Sequence, residues 1–128
     1  MARILVIDDD AQMRNMLRQM LESEGHTAAV AENGKEGLLQ MRTHPFDLVI
    51  TDLIMPEKEG IETIQELRKS YPDLKIIAIS GGGRYGQLEY LPVAKKLGAD
   101  STLAKPFRKQ ELLEMMEDVL NLSQAHQA

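Results

Sequence analysis

The sequence predicts an α/β fold, a five-stranded parallel sheet with helices on both faces, and three observations predict it. Five short apolar runs alternate strictly with five amphipathic stretches, the pattern of successive right-handed βαβ crossovers. Three of the runs are continuously aliphatic, as expected of strands covered on both faces. The chain has 128 residues, 43% hydrophobic but only 4% aromatic, which suits one domain with an aliphatic core that needs no staples.

The elements follow in order. Ile4–Ile7 is the first strand, and Met13, Met16, Leu17, Met20 and Leu21 recur at helical spacing after it until Gly25 stops the helix. Thr27–Ala31 is the second strand. Asn33-Gly34 opens the next helix, which turns Leu38 and Met41 inward and ends at His44-Pro45. Leu48–Thr51 is the third strand, and Ile61, Ile64 and Leu67 share one face of a helix that stops before Tyr71-Pro72. Ile76–Ile79 is the fourth strand. The glycine-rich segment Gly81-Gly82-Gly83-Arg84-Tyr85-Gly86 follows Ser80, and Pro92 then implies a helix that either starts near Tyr90 or Leu91 or is bent there, since proline is comfortable only in a first turn. Thr102–Ala104 is the fifth strand. The last helix, from about Arg108 to Asn121, carries Leu112, Leu113, Met116, Val119 and Leu120 as its stripe. The polar tail, 123–128, is expected to fray. The methionines fall at core spacing and read as packing.

Composition excludes several classes of function. With no cysteine there is no disulfide framework, thiolate metal site or catalytic thiol. No apolar run approaches the roughly 18 residues of a membrane span, and no basic-then-apolar leader opens the chain. A formal charge of −5 disfavours non-specific binding to nucleic acid or anionic membrane. A cytoplasmic, soluble domain is expected, occupying 1–122, with 123–128 as a tail and no output domain. His26, His44 and His126 are scattered and read as surface residues.

In a parallel sheet the carboxyl ends of all strands share one edge, where such folds place their sites. Here strand one runs into Asp8-Asp9-Asp10, strand three into Asp52, strand four into Ser80, and strand five into Lys105-Pro106. Each feature alone is ordinary; Asp10, for instance, suits a helix N-cap. Together they gather carboxylates, a hydroxyl and an ammonium. Clustered carboxylates raise one another's pKa unless a cation is present, and all-oxygen ligands suit a hard ion such as Mg2+. Ser80 and Lys105 are then placed for the oxygens of a phosphoryl group. The chemistry implied is phosphoryl transfer onto a carboxylate, with Asp52 presented where a rigid strand opens into a loop.

Ile4-Leu5-Val6-Ile7-Asp8-Asp9, Asp47-Leu48-Val49-Ile50-Thr51-Asp52-Leu53-Ile54-Met55-Pro56, Gly98-Ala99-Asp100 and Lys105-Pro106-Phe107 together resemble a response-regulator receiver domain of two-component signalling, over roughly Arg3 to Leu120. The resemblance implies a flavodoxin-like (βα)5 three-layer sandwich with strand order 2-1-3-4-5, for which receiver proteins are themselves a standard example. It further implies that Asp52 is the phosphoacceptor, that Asp9 ligates Mg2+ directly with Asp8 helping through water, and that the backbone carbonyl of Ile54 is a further ligand. Ser80 would be the switch hydroxyl, Lys105 would pair with the phosphate, and the Lys105–Pro106 bond would be cis. The donor would be a sensor histidine kinase or a histidine phosphotransfer protein. The phosphorylated form would be read by a downstream protein on the fourth helix, fifth strand and fifth helix, with no nucleic acid or membrane partner. Such a protein is a signalling phosphoacceptor rather than an enzyme, with only slow self-catalysed phosphorylation and dephosphorylation.

Two positions depart from the family pattern. Thr102 stands where receivers usually carry a strand-five switch aromatic, and the segment after Ser80 is about three residues longer than is common; readout by reordering of that segment is the expectation. Two other readings exist. A haloacid-dehalogenase-like phosphatase would use Asp8 as nucleophile with Asp10 as the second Asp two residues on, but the chain offers no acidic pair beyond Lys105 except on a helix, and Asp52 is left without a role. A flavin carrier would need Ser, Thr and Gly where the three aspartates stand.

Overall fold

The computed structural model describes residues 2–53, 59–81 and 90–127, with side chains described for all of these except 59, 81, 90, 91, 93 and 122–127. Its elements are β1 (Arg3–Ile7), α1 (Ala11–Ser23), β2 (Thr27–Ala31), α2 (Gly34–Thr43), β3 (Leu48–Asp52), α3 (Glu59–Ser70), β4 (Lys75–Gly81), α4 (Tyr90–Leu97), β5 (Ser101–Lys105) and α5 (Lys109–Gln127). The strands form one parallel sheet of order β2-β1-β3-β4-β5, so the expected α/β sandwich and strand order hold.

Alternation along the strands divides the core into two layers. On one face Leu5, Ile7, Val49, Ile76 and Ala78 pack with Met41 of α2, Ile64 and Leu67 of α3 and Ala94 of α4. On the other, Ile4, Val6, Leu48, Ile50, Ile77, Ile79 and Leu103 pack with Leu17 and Leu21 of α1 and Leu112, Met116 and Val119 of α5. The α1 stripe is narrower than its apolar sequence pattern: Met16, counted in it, is 37% exposed. The other described methionines are at least partly buried.

Local chemistry sets the helix ends. The Asp10 carboxylate caps α1 by accepting from the backbone N–H of Gln12 at 2.9 Å. Asn33 caps α2 through the N–H of Glu36 at 2.8 Å. Gly25 (φ 88) and Gly98 (φ 132) take the left-handed backbone that lets the chain leave α1 and α4 sharply. Pro92 lies in the first turn of α4, as its missing N–H requires.

Several element boundaries correct the sequence reading, and one of them matters to the site. β3 extends to Asp52, β4 to Gly81 and β5 to Lys105, because ladder pairing continues through polar residues that an apolar-run criterion stops at. Asp52 is therefore the last rung of a strand and 6% exposed, not a loop-exposed carboxylate. α5 continues to Gln127, through residues expected to fray. His26 is half-buried, its Nδ1 accepting from the Ala2 N–H at 3.1 Å, so it is not a plain surface residue.

Candidate functional site

At the carboxyl edge of the sheet, β1 and β3 lie side by side with Ile7 opposite Thr51. The chain therefore carries Asp8 and Asp52 off adjacent strands. Asp8 is 1% exposed. Its Oδ1 accepts from the Asp10 N–H at 2.9 Å, and its carbonyl accepts from Arg14 Nη1 at 2.8 Å. Asp9, next along, is exposed. Carboxylate oxygens of Asp8, Asp9 and Asp52 all lie within 4.8 Å of one another.

Lys105 closes the cluster from β5. Its Nζ donates to Asp8 Oδ2 at 3.2 Å and to Asp52 Oδ2 at 3.3 Å, spanning two strands that β5 does not pair with. The Lys105–Pro106 peptide is cis, as the resemblance implied. Burial alone would lower the ammonium's pKa, but the charges of Asp52 and Asp8 outweigh it and hold Lys105 above the ordinary lysine value. At Asp8 the balance goes the other way. Desolvation raises its pKa and wins over the Asp10 N–H bond and the Lys105 charge, while Asp9 adds like-charge repulsion. The site thus holds a buried carboxylate that one ammonium does not fully compensate.

Ser80 is fully buried on β4, opposite Ala104. It lies one residue beyond Ile79, which pairs with Asp52, and one before Gly81, which pairs with Lys105. Register therefore puts Ser80 at the same edge, between the strand ends of Asp52 and Lys105. Thr102 is half-buried opposite Ala78, three residues back from Lys105 along β5. The Ile54 carbonyl and the glycine-rich segment 82–89 lie outside the described residues.

Asp10, the rival nucleophile's partner, is occupied as the cap of α1. Sequence reasoning missed Arg14, which ties α1 to the strand end bearing Asp8. The available signal was a cation one turn into the helix that follows an acidic cluster. It also missed Arg68 of α3, whose guanidinium donates to the carbonyls of Gly98, Pro72 and Leu74 and to Asp100 Oδ2 at 2.9 Å. Nothing in the residues around Arg68 marks it, because its partners are 4 to 32 residues away.

All-oxygen donors this close suit a hard divalent cation, and the uncompensated charge at Asp8 gives a reason to bind one. The residues present fit Mg2+.

Comparison with known proteins agrees with this chemistry. Residues 4–117 match the model of the response regulator receiver domain family. The chain is 37% identical over 118 residues to the chemotaxis protein CheY of Halobacterium salinarum, covering 92% of this chain and 96% of that protein. It is 32% identical over 123 residues to the transcriptional regulatory protein CpxR of Escherichia coli, covering 96% of this chain but 51% of that protein. A CheY-like receiver domain protein from Methanospirillum hungatei superposes with a TM-score of 0.88 at 31% identity, covering 97% of each chain. The response regulator TrrA of Thermotoga maritima, solved in complex with Mg2+–BeF, gives 0.81 at 35% identity, covering 93% of this chain and 99% of that one. None of these similarities supports the phosphatase rival.

Proposed function

The chain belongs to the response-regulator receiver domain family, and on that premise we propose that Asp52 is its phosphoacceptor. Receiver domains interact with histidine kinases or phosphotransfer proteins and with downstream targets. The single observation that carries the reading is Asp52 at the end of β3, grouped with Asp8 and Asp9 and held 3.3 Å from Lys105.

An Asp52 carboxylate oxygen attacks the phosphorus of a phosphohistidine. The O–P bond forms, the N–P bond breaks, and the imidazole leaves with the electron pair and regains a proton. Asp8, Asp9 and Asp52, with the Ile54 carbonyl, would hold Mg2+, which when bound supplies charge neutralisation for the incoming phosphoryl oxygens. Lys105 exchanges its present carboxylate partners for a phosphoryl oxygen, and the Ser80 hydroxyl donates to another. The added charge and acceptors favour the conformer in which these two groups close on the phosphate, which shifts a two-state equilibrium. α4, β5 and α5 then present a changed surface to a partner. With Thr102 in place of an aromatic, that change does not run through a ring rotation on β5. The domain acts as a signalling switch, and its own slow dephosphorylation resets it.

Among the described residues no helix is long and apolar enough to cross a membrane. Incubation with a small phosphodonor and Mg2+ tests the reading. Acid-labile label is expected on the unmodified protein and absent from Asp52→Ala; equal labelling of both would overturn it.

A further inference from the structure

Gly60 is the second residue of α3 and is buried. A Cβ at this position would stand 2.3 Å from the Leu53 carbonyl oxygen, 2.5 Å from the Asp52 carbonyl oxygen and 2.6 Å from the Leu53 carbonyl carbon. All three are backbone atoms, so no side-chain rotation relieves the overlap. Relief requires either α3 or the end of β3 to move.

α3 is poorly able to retreat. Ile64 and Leu67 on its inner face are fully buried. At its far end Arg68 is tied to the carbonyls of Gly98, Pro72 and Leu74 and to Asp100. The peptide it would press on is the one that carries Asp52, whose N–H, that of Leu53, donates to the Ile79 carbonyl of β4 at 2.8 Å, so a shift there is felt directly at the site. Two other glycines make a useful contrast. A Cβ on Gly37 or Gly34 would first meet Ile7 Cδ1 at 2.4 Å or Thr63 Oγ1 at 1.9 Å. Those neighbours are side chains, which can rotate to relieve the overlap, whereas the atoms facing Gly60 are backbone.

We propose that Gly60 is a positioning residue for the phosphoacceptor site. Lacking a Cβ, it lets α3 seat directly on the Asp52 and Leu53 carbonyls, and that seat fixes the orientation of the peptide from which the Asp52 carboxylate projects. The inference rests on the reading of Asp8, Asp9 and Asp52 as a Mg2+-assisted phosphoacceptor site. In Gly60→Ala the contact must open by about half an ångström or more, and misplacements on that scale degrade both metal holding and in-line attack.

The test is calorimetric titration with Mg2+ alone, followed by the phosphorylation rate from a small phosphodonor at saturating Mg2+. The unmodified protein, Gly60→Ala, Gly37→Ala and Gly34→Ala are compared, each with its thermal midpoint. Gly60→Ala is expected to weaken Mg2+ about tenfold or more and to slow phosphorylation about 10- to 100-fold even when metal-saturated. The Gly37 and Gly34 variants are expected to lose midpoint temperature while binding Mg2+ normally. If Gly60→Ala is unfolded in buffer, the titrations are repeated for all four proteins in trimethylamine oxide, which favours the folded state without binding the site. Unchanged Mg2+ affinity and rate in folded Gly60→Ala would overturn the role of Gly60 alone. Failure of the unmodified protein to bind Mg2+ would overturn the site reading, and this inference with it.

Discussion

Asp8 and Lys105 both carry raised pKa values, so each loses its contribution to stability as pH rises, Asp8 from the carboxylate range upward and Lys105 only in the alkaline range. Asp8 is held above the usual carboxylate value by desolvation, against its hydrogen bond and the Lys105 charge. Its folded-state stabilisation is thus complete only below the unfolded carboxylate range and is lost as pH rises through the folded value. At neutral pH the ionised Asp8 is a net cost. Asp8→Asn keeps an acceptor for the Asp10 N–H and leaves Asp52 for Lys105, so it is expected to raise the denaturant midpoint, by an amount equivalent to about 1 kcal/mol of unfolding free energy. It should also weaken the Mg2+-dependent stabilisation, which in the unmodified protein reaches about 2.7 kcal/mol at a hundredfold excess over the dissociation constant. A midpoint lower than that of the unmodified protein would contradict this balance. Lys105 is raised as well; burial opposes the shift, but Asp52 and Asp8 prevail. Its contribution is full below the ordinary lysine value and disappears as pH rises through the raised one. Lys105→Gln should therefore cost about 2 kcal/mol at neutral pH, because two carboxylates lose their cation. It should also flatten the loss of stability that the unmodified protein shows above about pH 10, as urea titrations across pH would reveal. At this scale the sequence was informative about identity and less so about environment. Asp8, Asp9, Asp52 and Lys105 were legible because strand-end position is encoded locally. The burial of Asp52 was not, since it depends on ladder pairing with β4 that no local pattern records.

Among the elements, α3 has the most distributed role. Its inner face fills the core layer under β3 and β4, Gly60 at one end meets the Asp52 and Leu53 carbonyls, and Arg68 at the other joins the α4–β5 turn. The Asp100 carboxylate that pairs with Arg68 also accepts from the Ile76 N–H at 2.8 Å, so a single guanidinium organises the amino ends of β4 and β5. Arg68→Ala leaves several carbonyls and a partly buried carboxylate without their donor, and should cost about 3 kcal/mol in chemical denaturation. Arg68→Lys should recover less than half of that, because a point charge cannot reach the same fan of acceptors. Recovery to the unmodified value would show that charge alone matters there. The helices were legible from periodicity and caps, as Asp10 and Asn33 illustrate. The Arg68 clamp was not, because Gly98 and Asp100 reach it only once the β4–α4–β5 crossover is in place. The strand limits at Asp52, Gly81 and Lys105 were missed for a related reason, since pairing and not hydropathy ends a buried strand.

For the whole molecule, the fold explains why residues from position 8 to 105 can act as one group: five parallel strands in the order β2-β1-β3-β4-β5 bring every carboxyl end to one edge. The alternation of apolar runs was sufficient to predict the layers, and the resemblance supplied the strand order that alternation alone leaves open. The path from the phosphoacceptor to the responding surface was the part least encoded. Thr102 stands where the resemblance leads one to expect a ring, three residues before Lys105 and opposite Ala78. The account stands on Asp52 being the acceptor, and direct mapping of the acyl phosphate tests it. The protein is phosphorylated with a small donor in Mg2+, trapped with hydroxylamine, and the modified residue located by peptide mass spectrometry. A hydroxamate at Asp52, lost on chelation of Mg2+, is the predicted result. A hydroxamate at Asp8, or the same yield without the metal, would contradict it.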